Sequence, residues 1–527
     1  MSPLNLLYNA SRSGLVSEVL SLLSAETDKG SLSTLSDFIN EEVFGEFIQE
    51  VAADDDEEQD GDAYWGNPNN EGGQTCLTVA LAGRHLEVAS ILIQKAGADV
   101  DLPNAADGDT PLLTASEDGS LNSVKFLVDH GADLNKARVD DGSTPLIEMC
   151  WGDHLGVARY LVQQGASVVQ ADNNGYNPLV ISSLCGHPEM VKLLLANGAK
   201  VDQADNNGAT PLLISSEDGH HEVVELLLAN GASVDHATTN NGFTPLIISS
   251  SNGHPEVVEL LLANGAKLDQ ADNCGATPLF QSSESGKPEV VELLLSKGAK
   301  VDQVNNRGAT SLIVSSKYGH QEVVKLLLAN GAKADKADNK GWTPLIISSS
   351  NGHPEVVKLL LANGAKVDQV VSGFTPLIQS SCEGHLEVVK LLLANGASVY
   401  QAASNGETPL IVSRQNGRHE VVKLLLATIT TIRRFTVLSA IRQVRRSPLS
   451  RPPSQLLSLL ANGTPDDIVR VILEFLGAES PERRKSTRGP RRSNLRGFVQ
   501  PACLSYMPDS SSYHMSSSYH MPDSSSY

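Results

Sequence analysis

Histidine is the residue type in this sequence best suited to hold a metal ion or to transfer a proton, and the chain contains 14 of them. Eight of these histidines occupy one and the same position of an internal repeat. They are His85, His154, His187, His220, His254, His320, His353 and His385. A residue type that recurs at one repeat position is best explained by the turn that the repeat must build there. The pattern therefore indicates a structural role for these histidines.

Two further histidines begin like the helix motif that binds zinc in metalloproteases. That motif needs a second histidine four residues after the first, on the same helix face. Glu225 stands at this spacing from His221, and Lys423 stands at this spacing from His419. The chain also has no glycine-rich phosphate loop and no nucleophile motif outside the repeat. We therefore expect no metal, no cofactor and no enzymatic activity.

The repeat that contains these histidines is marked by the step Thr-Pro-Leu or a variant of it, at intervals of 32 to 35 residues. The eleven steps begin at Thr75, Thr110, Thr144, Asn177, Thr210, Thr244, Thr277, Thr310, Thr343, Thr375 and Thr408. A regular interval of this length indicates one supersecondary unit that is stacked many times.

Each unit is predicted to hold two short helices and a projecting turn. In the unit that begins at Thr210, Pro211 suits a first helical turn, because its missing N–H has no helical partner to lose. Gly219 and Gly231 suit the left-handed conformation that ends a helix. Residues 205–208, Asp-Asn-Asn-Gly, are a strong turn signal and predict the tip of a hairpin. We call this hairpin the finger.

The pattern Gly-x-Thr-Pro-Leu, Gly-His-x-Glu-Val-Val and Leu-Leu-Leu-x-x-Gly-Ala resembles the ankyrin repeat from residue 74 to residue 427. The resemblance implies an all-α repeat solenoid of stacked helix-turn-helix units with projecting β-hairpin fingers. It also implies binding to protein partners. The sequence departs from the family inside the first helix, where Ser215 and Ser216 replace the usual small residues and the family's histidine is absent. We expect the serine hydroxyls to bond carbonyls one turn back and the links between repeats to differ.

Charge and cysteine content narrow the functional classes. The chain has 62 acidic and 40 basic side chains and a net charge of -22, which argues against nucleic-acid binding by the repeat array. Residues 428–527 carry +7, so the remainder carries -29. The six cysteines are widely spaced, which favours reduced thiols. No apolar run is long enough to span a membrane. We expect a monomer in the cytoplasm, with the nucleus as an alternative.

Departures from the repeat predict five regions. Residues 1–50 form a degenerate N-terminal capping repeat plus a helix, and residues 51–73 form an acidic linker. Residues 74–428 form the array of eleven repeats. Residues 429–478 form a C-terminal helical cap. Residues 479–527 are a basic and then Ser/Tyr-rich tail, with too little apolar surface to fold.

Partner-binding residues are expected where the repeat varies, because its constant positions are committed to turns and packing. The residue before the Thr-Pro-Leu step varies, and four aromatic residues occupy it in a chain with only 4% aromatics. They are Tyr176, Phe243, Trp342 and Phe374. On an exposed finger such side chains would anchor a partner. The alternative is that each packs against the neighbouring finger.

A second variable position lies at the end of the first helix, where Glu217 and Asp218 stand in one repeat and Tyr318 stands in another. Two adjacent carboxylates oppose the negative end of the helix dipole, so they suggest a cationic partner rather than a contribution to stability. The alternative is a solvated rim that serves solubility.

Two positions are candidates for modification. Ser486 follows the basic triplet 483–485, a pattern that suits either a phosphorylation site or a nuclear address. Asn135 matches the asparagine that is hydroxylated in ankyrin repeats, so its modification is implied by the resemblance alone. Most other repeats have aspartate at this position, as in Asp202.

The sequence as a whole favours a non-enzymatic scaffold that binds protein partners through a concave surface of fingers and first helices. The alternative is a regulatory adaptor, such as a substrate receptor of a ubiquitin ligase, in which residues 429–478 recruit further machinery. The sequence contains no recognisable recruitment motif that supports this alternative.

Overall fold

The computed structural model describes residues 12–14, 17, 21, 75–104, 108–371 and 373–446. At positions 436, 437 and 439–446 the description covers the main chain alone. The predicted N-terminal cap and acidic linker, most of the predicted C-terminal cap, and the tail with Ser486 lie outside the described residues.

Residues 75–446 contain 22 helices that alternate as first and second helices of eleven repeats. They are α1 Cys76–Ala82, α2 Leu86–Ala96, α3 Pro111–Glu117, α4 Leu121–Asp129, α5 Pro145–Trp151, α6 Leu155–Gln163, α7 Pro178–Leu184, α8 Pro188–Ala196, α9 Pro211–Asp218, α10 His221–Ala229, α11 Pro245–Asn252, α12 Pro255–Ala263, α13 Pro278–Glu284, α14 Pro288–Ser296, α15 Ser311–Tyr318, α16 Gln321–Ala329, α17 Pro344–Asn351, α18 Pro354–Ala362, α19 Pro376–Glu383, α20 Leu386–Ala394, α21 Pro409–Gln415 and α22 His419–Arg446. They fall into two compact units, which we call unit 1 (to Asn306) and unit 2 (from Arg307).

The Thr-Pro step explains why each first helix begins where it does. The Oγ1 atom of Thr210 accepts a hydrogen bond from the backbone N–H of Leu213 at 3.3 Å, and Pro211 occupies the first helical position. Such a side-chain cap satisfies one of the free N–H groups at the helix start and contributes about 1 kcal/mol. Gly219 then ends α9 with φ 79°, a left-handed conformation that other residues rarely adopt.

Each second helix is held by an apolar face at helical spacing. In α10, Val223, Val224 and Leu227 are completely buried, while Glu222 and Glu225 lie on the exposed face. Within each unit, successive first helices pack against one another, and from α4 onward so do successive second helices. The core is therefore continuous along a unit, as an all-α repeat solenoid requires.

The serines inside the first helices behave partly as predicted. Ser215 Oγ donates to the carbonyl of Pro211 at 2.9 Å, and Ser249 Oγ donates to the carbonyl of Pro245 at 2.8 Å. This satisfies the hydroxyl within its own helix. The second serine of the pair does not always satisfy its hydroxyl in this way. Ser250 Oγ is buried and has no hydrogen-bond partner among the described residues.

The fingers are turns with little regular β structure. In the described residues, the bridge between Val371 and Phe374 is the one isolated β contact. Elsewhere two backbone bonds close the finger, such as the N–H of Asp205 to the carbonyl of Ala209 at 3.0 Å and the N–H of Gly208 to the carbonyl of Asp205 at 3.1 Å. The expected β-hairpin is thus reduced to its turn.

Candidate partner-binding surface

A buried carboxylate fixes the conformation of the finger. Asp205 Oδ1 accepts hydrogen bonds from the N–H groups of Asn207 at 2.9 Å and Ala209 at 2.8 Å. Asp172 and Asp338 make the same pair of bonds in their own fingers. These bonds commit the aspartate to the turn, so it is not available to a partner.

Asparagine links neighbouring fingers, a role that the sequence analysis did not identify. The backbone N–H of Asn206 donates to the carbonyl of Asn174 at 3.1 Å, and its Nδ2 donates to the carbonyl of Asn173 at 2.9 Å. Asn273 makes the equivalent pair of bonds to the preceding finger. The repeated Asp-Asn-Asn-Gly contains this asparagine, but the motif by itself predicts only a turn. The amide side chain at this position links each such finger to the finger before it.

The recurrent histidine also links repeats, in agreement with its predicted structural role. His220 Nε2 lies 2.9 Å from the carbonyl oxygen of Leu184, at the end of the preceding first helix. His353 Nε2 lies 2.9 Å from the carbonyl oxygen of Lys317 in the same way. Carbonyls at the end of a helix lack helical partners, so this contact satisfies one of them across a repeat boundary.

The four predicted aromatic anchors differ in their environments. Phe243 is only 7% exposed and lies in a core cluster with Leu213, Ile214 and Ile247. Tyr176 is half-buried and packs against the same cluster. The prediction that Phe243 is exposed on the finger is wrong, because its side chain is buried. Phe243 follows the alternative, in which the side chain packs within the array.

The other two aromatic residues belong to unit 2 and are half-buried. Phe374 packs against Ile378, Cys382 and Val412. Trp342 uses its backbone N–H to close the finger on Asp338 Oδ1 at 2.8 Å. Tyr176, Trp342 and Phe374 each leave part of the ring accessible, so their role in partner binding stays a prediction.

The ends of the first helices are more exposed than the finger positions. Tyr318, the last residue of α15, is 42% exposed, and the Lys317 ammonium lies 4.6 Å from the centre of its ring. Asp218 is exposed, and Glu217 is half-buried. A partner could therefore reach these side chains without displacing the fingers.

Glu217 and Asp218 form a pair of carboxylates without a lysine or arginine partner. Neither carboxylate makes a salt bridge with a described residue, and the cationic groups that act on Asp218 are the side chains of His220 and His254. Burial, followed by the charge of Asp218, raises the pKa of Glu217 to about 7. Burial also raises the pKa of Asp218, although the charges of His220 and His254 partly offset that effect. Glu217 is thus poorly compensated as an anion.

An ion cluster around Arg138 is the main feature that the sequence analysis missed. Arg138 occupies the position that Asp205 holds in its own finger, and the Arg138 guanidinium contacts three carboxylates. The distances are 2.5 Å to Asp109 Oδ1, 2.9 Å to Asp141 Oδ2 and 3.3 Å to Glu148 Oε1. Asp109 and Glu148 are buried. The sequence signal for this cluster is that Arg138 and Glu148 both differ from the residues usual at their positions in the repeat.

The Arg138 cluster contains a carboxyl group that titrates near neutral pH. Burial raises the pKa of Glu148 to about 7, although the charge of Arg138 opposes this rise. Because the guanidinium already has three acidic neighbours, we assign the cluster to the stability of unit 1 rather than to a partner.

Asn135 has a structural role in the array. Its Oδ1 accepts a hydrogen bond from the backbone N–H of Ser167 in the next repeat at 2.7 Å. Asp202 accepts from the backbone N–H of Ser233 in the same manner, at 3.0 Å. Asn135 therefore stands in for the aspartate of other repeats, and its hydroxylation stays a prediction.

Possible metal ligands, thiols and apolar helices complete the description of the described residues. No group of three or more His, Cys, Asp or Glu side chains is arranged there to hold a metal ion. Cys76, Cys150 and Cys185 are free thiols, and the expectation of reduced cysteines elsewhere in the chain stays a prediction. Among the helices of the described residues, none combines the length and the apolarity needed to cross a membrane.

Comparison with known families agrees with this architecture. The family described as "Ankyrin repeats (3 copies)" matches residues 47–138, 135–205, 197–272, 264–338, 331–403 and 366–434. The matches cover well over half of the chain, so the chain belongs to the ankyrin repeat family. No curated protein sequence matches it significantly. Ankyrin repeats generally mediate protein–protein interaction, and the family is typically non-enzymatic.

Proposed function

We propose that this chain is a non-enzymatic scaffold that binds a protein partner through the ends of its first helices and the exposed edges of its fingers. The observation that carries the proposal is the carboxylate pair Glu217 and Asp218, which makes no salt bridge with a lysine or arginine among the described residues. A half-buried anion without a partner lowers the stability of the free protein. A lysine or arginine side chain of a partner would relieve this penalty.

The other side chains near this surface support the proposal by elimination. Threonine caps the first helix, histidine holds a carbonyl of the preceding repeat, and asparagine holds the preceding finger, as seen at Thr210, His220 and Asn206. Glu217 and Asp218 have no comparable structural contact through their side chains. Positions that do not serve the fold are the ones free to serve recognition.

The charge of unit 1 fits a cationic partner. Residues 75–306 contain 30 acidic and 12 basic side chains, a net charge of -18. A field of this sign accelerates encounter with a basic segment and weakens with added salt. We therefore propose that the partner presents a lysine- or arginine-rich segment to unit 1. We also propose that the chain is a monomer and that it is located in the cytoplasm or the nucleus.

The test uses two double variants of the full chain that remove the same charge from the same repeat. Glu217→Gln with Asp218→Asn removes the proposed site. Glu222→Gln with Glu225→Gln removes two carboxylates from the exposed face of α10 and is the matched control. In affinity capture from cell lysate, the first variant should lose specific partners that the control retains. Equal retention by both variants would contradict the proposed site.

The aromatic residues of the fingers are tested separately. Alanine at Tyr176, Trp342 and Phe374 should weaken capture if their exposed edges contact the partner. Phe243→Ala is excluded from this set, because it would open a cavity in the core. A partner that is kept by the triple variant and lost by the Glu217 and Asp218 variant would confine the site to the helix ends.

The adaptor remains a second candidate because of one observation in α22. Phe435 and Leu438, within the region predicted to recruit machinery, are 69% and 53% exposed. An adaptor from which residues 429–527 are removed should keep its target and lose its downstream effect. A scaffold should keep both.

A further inference from the structure

The last helix of the array is much longer than its equivalents and leaves apolar side chains uncovered. α22 spans 28 residues, whereas the preceding second helix, α20, spans nine. Ile432, Phe435 and Leu438 are all exposed on the extension. These three residues and Ile411, which is exposed in the last first helix, are what we call the C-terminal face.

Comparison with an interior repeat shows how much apolar surface this face leaves open. Ile411 in α21 is 42% exposed, whereas its equivalent Ile378 in α19 is completely buried. Interior repeats bury this side chain against the next repeat, and the last repeat has none. A stacked array needs a different covering at its end, because exposed apolar surface costs roughly 25 cal/mol per Å².

The chain itself continues with a segment of suitable composition. After α22 ends at Arg446, the eight residues 447–454 include three prolines, and residues 455–476 follow with two apolar runs. The apolar residues of these runs are Leu456, Leu457, Leu459, Leu460, Ile468, Val469, Val471, Ile472, Leu473, Phe475 and Leu476. Many of them recur at helical spacing, so the segment could present an apolar face of its own.

Length and charge both fit this occupant. Eight residues are within the range of two to eight that joins packed helices, and fully extended they reach about 27 Å. The extension of α22 from Ile432 to Arg446 is about 21 Å long at the rise of an α-helix. The segment carries Asp466, Asp467 and Glu474 against Arg470, a net charge of -2, whereas α22 exposes Arg433 and Arg434.

We propose that residues 455–476 fold back along α22 and cover the C-terminal face. A tether of eight residues gives the segment an effective concentration in the millimolar range, which favours it over a second copy of the chain. The apolar side chains of α22 then serve the integrity of the array. Phe435 and Leu438 are consequently not free to recruit other machinery, which weakens the adaptor as a description of this region.

Amide hydrogen exchange on the full chain tests the proposal. In the unaltered protein, peptides from 429–446 and from 455–476 should both exchange at least tenfold more slowly than unstructured peptides. Phe435→Ser with Leu438→Ser should abolish the protection of 455–476, while unit 1 keeps its own protection. Exchange of 455–476 at the unprotected rate in the unaltered chain would overturn the proposal.

A reciprocal pair of variants guards against misfolding of α22. Ile472→Asp places a charge within the apolar run and should release both segments. Arg470→Asp introduces the same residue two positions away and should leave their protection within about twofold. Protection of 429–446 that rises with protein concentration, with a dimer in sedimentation and no protection of 455–476, would assign the face to a second copy and contradict the proposal.

Discussion

Unit 1 and unit 2 share one backbone plan and differ in charge. Both units use threonine caps, as at Thr210 and Thr343, and both hold repeats together with a histidine on a carbonyl, as at His220 and His353. Residues 75–306 nevertheless carry -18, whereas residues 307–446, with 17 basic and 9 acidic side chains, carry +8. The fold is therefore specified by positions that both units share, and charge is free to diverge at the others.

The second helices show this divergence at a single position. In unit 2, Lys325 pairs with Glu322 at 3.5 Å, and Lys390 pairs with Glu387 at 2.7 Å. In unit 1 this position is mixed, because Lys192 pairs with Glu189 in one repeat, whereas Glu225 stands three residues after Glu222 in the next. Exposed pairs of either sign change helix stability by only a few tenths of a kcal/mol. The array therefore tolerates either charge there.

The largest predicted difference between the units concerns Arg138. Arg138→Gln should destabilise unit 1 by about 3–5 kcal/mol, because it leaves Asp109 and Glu148 buried without a cation. The loss should be smaller at pH 5 than at pH 8, since Glu148 with a pKa of about 7 can then be protonated. Urea unfolding followed by hydrogen exchange measures the effect.

Arg307→Gln is the control for this prediction in unit 2. Arg307 is also in a finger, but it is exposed, so its loss should change stability by less than about 0.5 kcal/mol. Equal effects of the two substitutions would show that the Arg138 cluster adds nothing particular to unit 1.

The histidine contacts should contribute equally to both units. His220→Ala and His353→Ala each remove a contact of 2.9 Å to a helix-end carbonyl, so each should cost about 1–2 kcal/mol. Denaturant midpoints for the two variants check this. A cost confined to one unit would break the claim that the units share the same positions for stability.

The carboxylate pair should make unit 1 less stable at high pH. The folded-state pKa of Glu217, about 7, lies above its ordinary value of 4.5, so ionisation of Glu217 in the folded protein lowers stability as pH rises through that interval. Glu217→Gln should therefore stabilise unit 1 by about 1 kcal/mol at pH 8, after allowance for partial exposure, and by much less at pH 4. Glu225→Gln alters an exposed side chain of α10 and is the control, which should change stability by less than about 0.5 kcal/mol at pH 8.

The smallest effect concerns the exposed pairs of the second helices. Lys325→Glu gives this repeat of unit 2 the arrangement that Glu222 and Glu225 have in unit 1, and it should cost about 0.5 kcal/mol at low salt. The cost should disappear at about 1 M salt, where the Debye length is roughly 3 Å. A larger cost that survives high salt would mean that this position is not free to vary.

The sequence was sufficient for the helices because their signals are local. Thr210 and Pro211 define a helix start, and Gly219 defines its end, without reference to other repeats. The contacts between repeats were harder to predict, because they join residues about 33 positions apart. The bond of Asn206 to Asn173 depends on how two fingers stack, and a turn signal alone does not encode that distance.

The candidate site was predicted least well where burial decides the outcome. Phe243 and Tyr176 occupy the same repeat position, yet one is core and the other is half-buried. The burial of Phe243 involves a neighbouring repeat, since its cluster includes Leu213 and Ile214 of the preceding first helix. The position of Glu217 and Asp218 at a helix end can be predicted from the sequence. The half-burial of Glu217 is seen only in the structure.

The central claim is that the carboxylates at the end of α9 recognise a cationic segment of a partner. The most direct measurement is the dissociation constant of a captured partner for the full chain and for its two double variants, at pH 8. Glu217→Gln with Asp218→Asn should weaken binding at least tenfold, whereas Glu222→Gln with Glu225→Gln should change it by less than about twofold. Equal losses in the two variants would show that only overall charge matters, and no loss in either would place recognition elsewhere on the array.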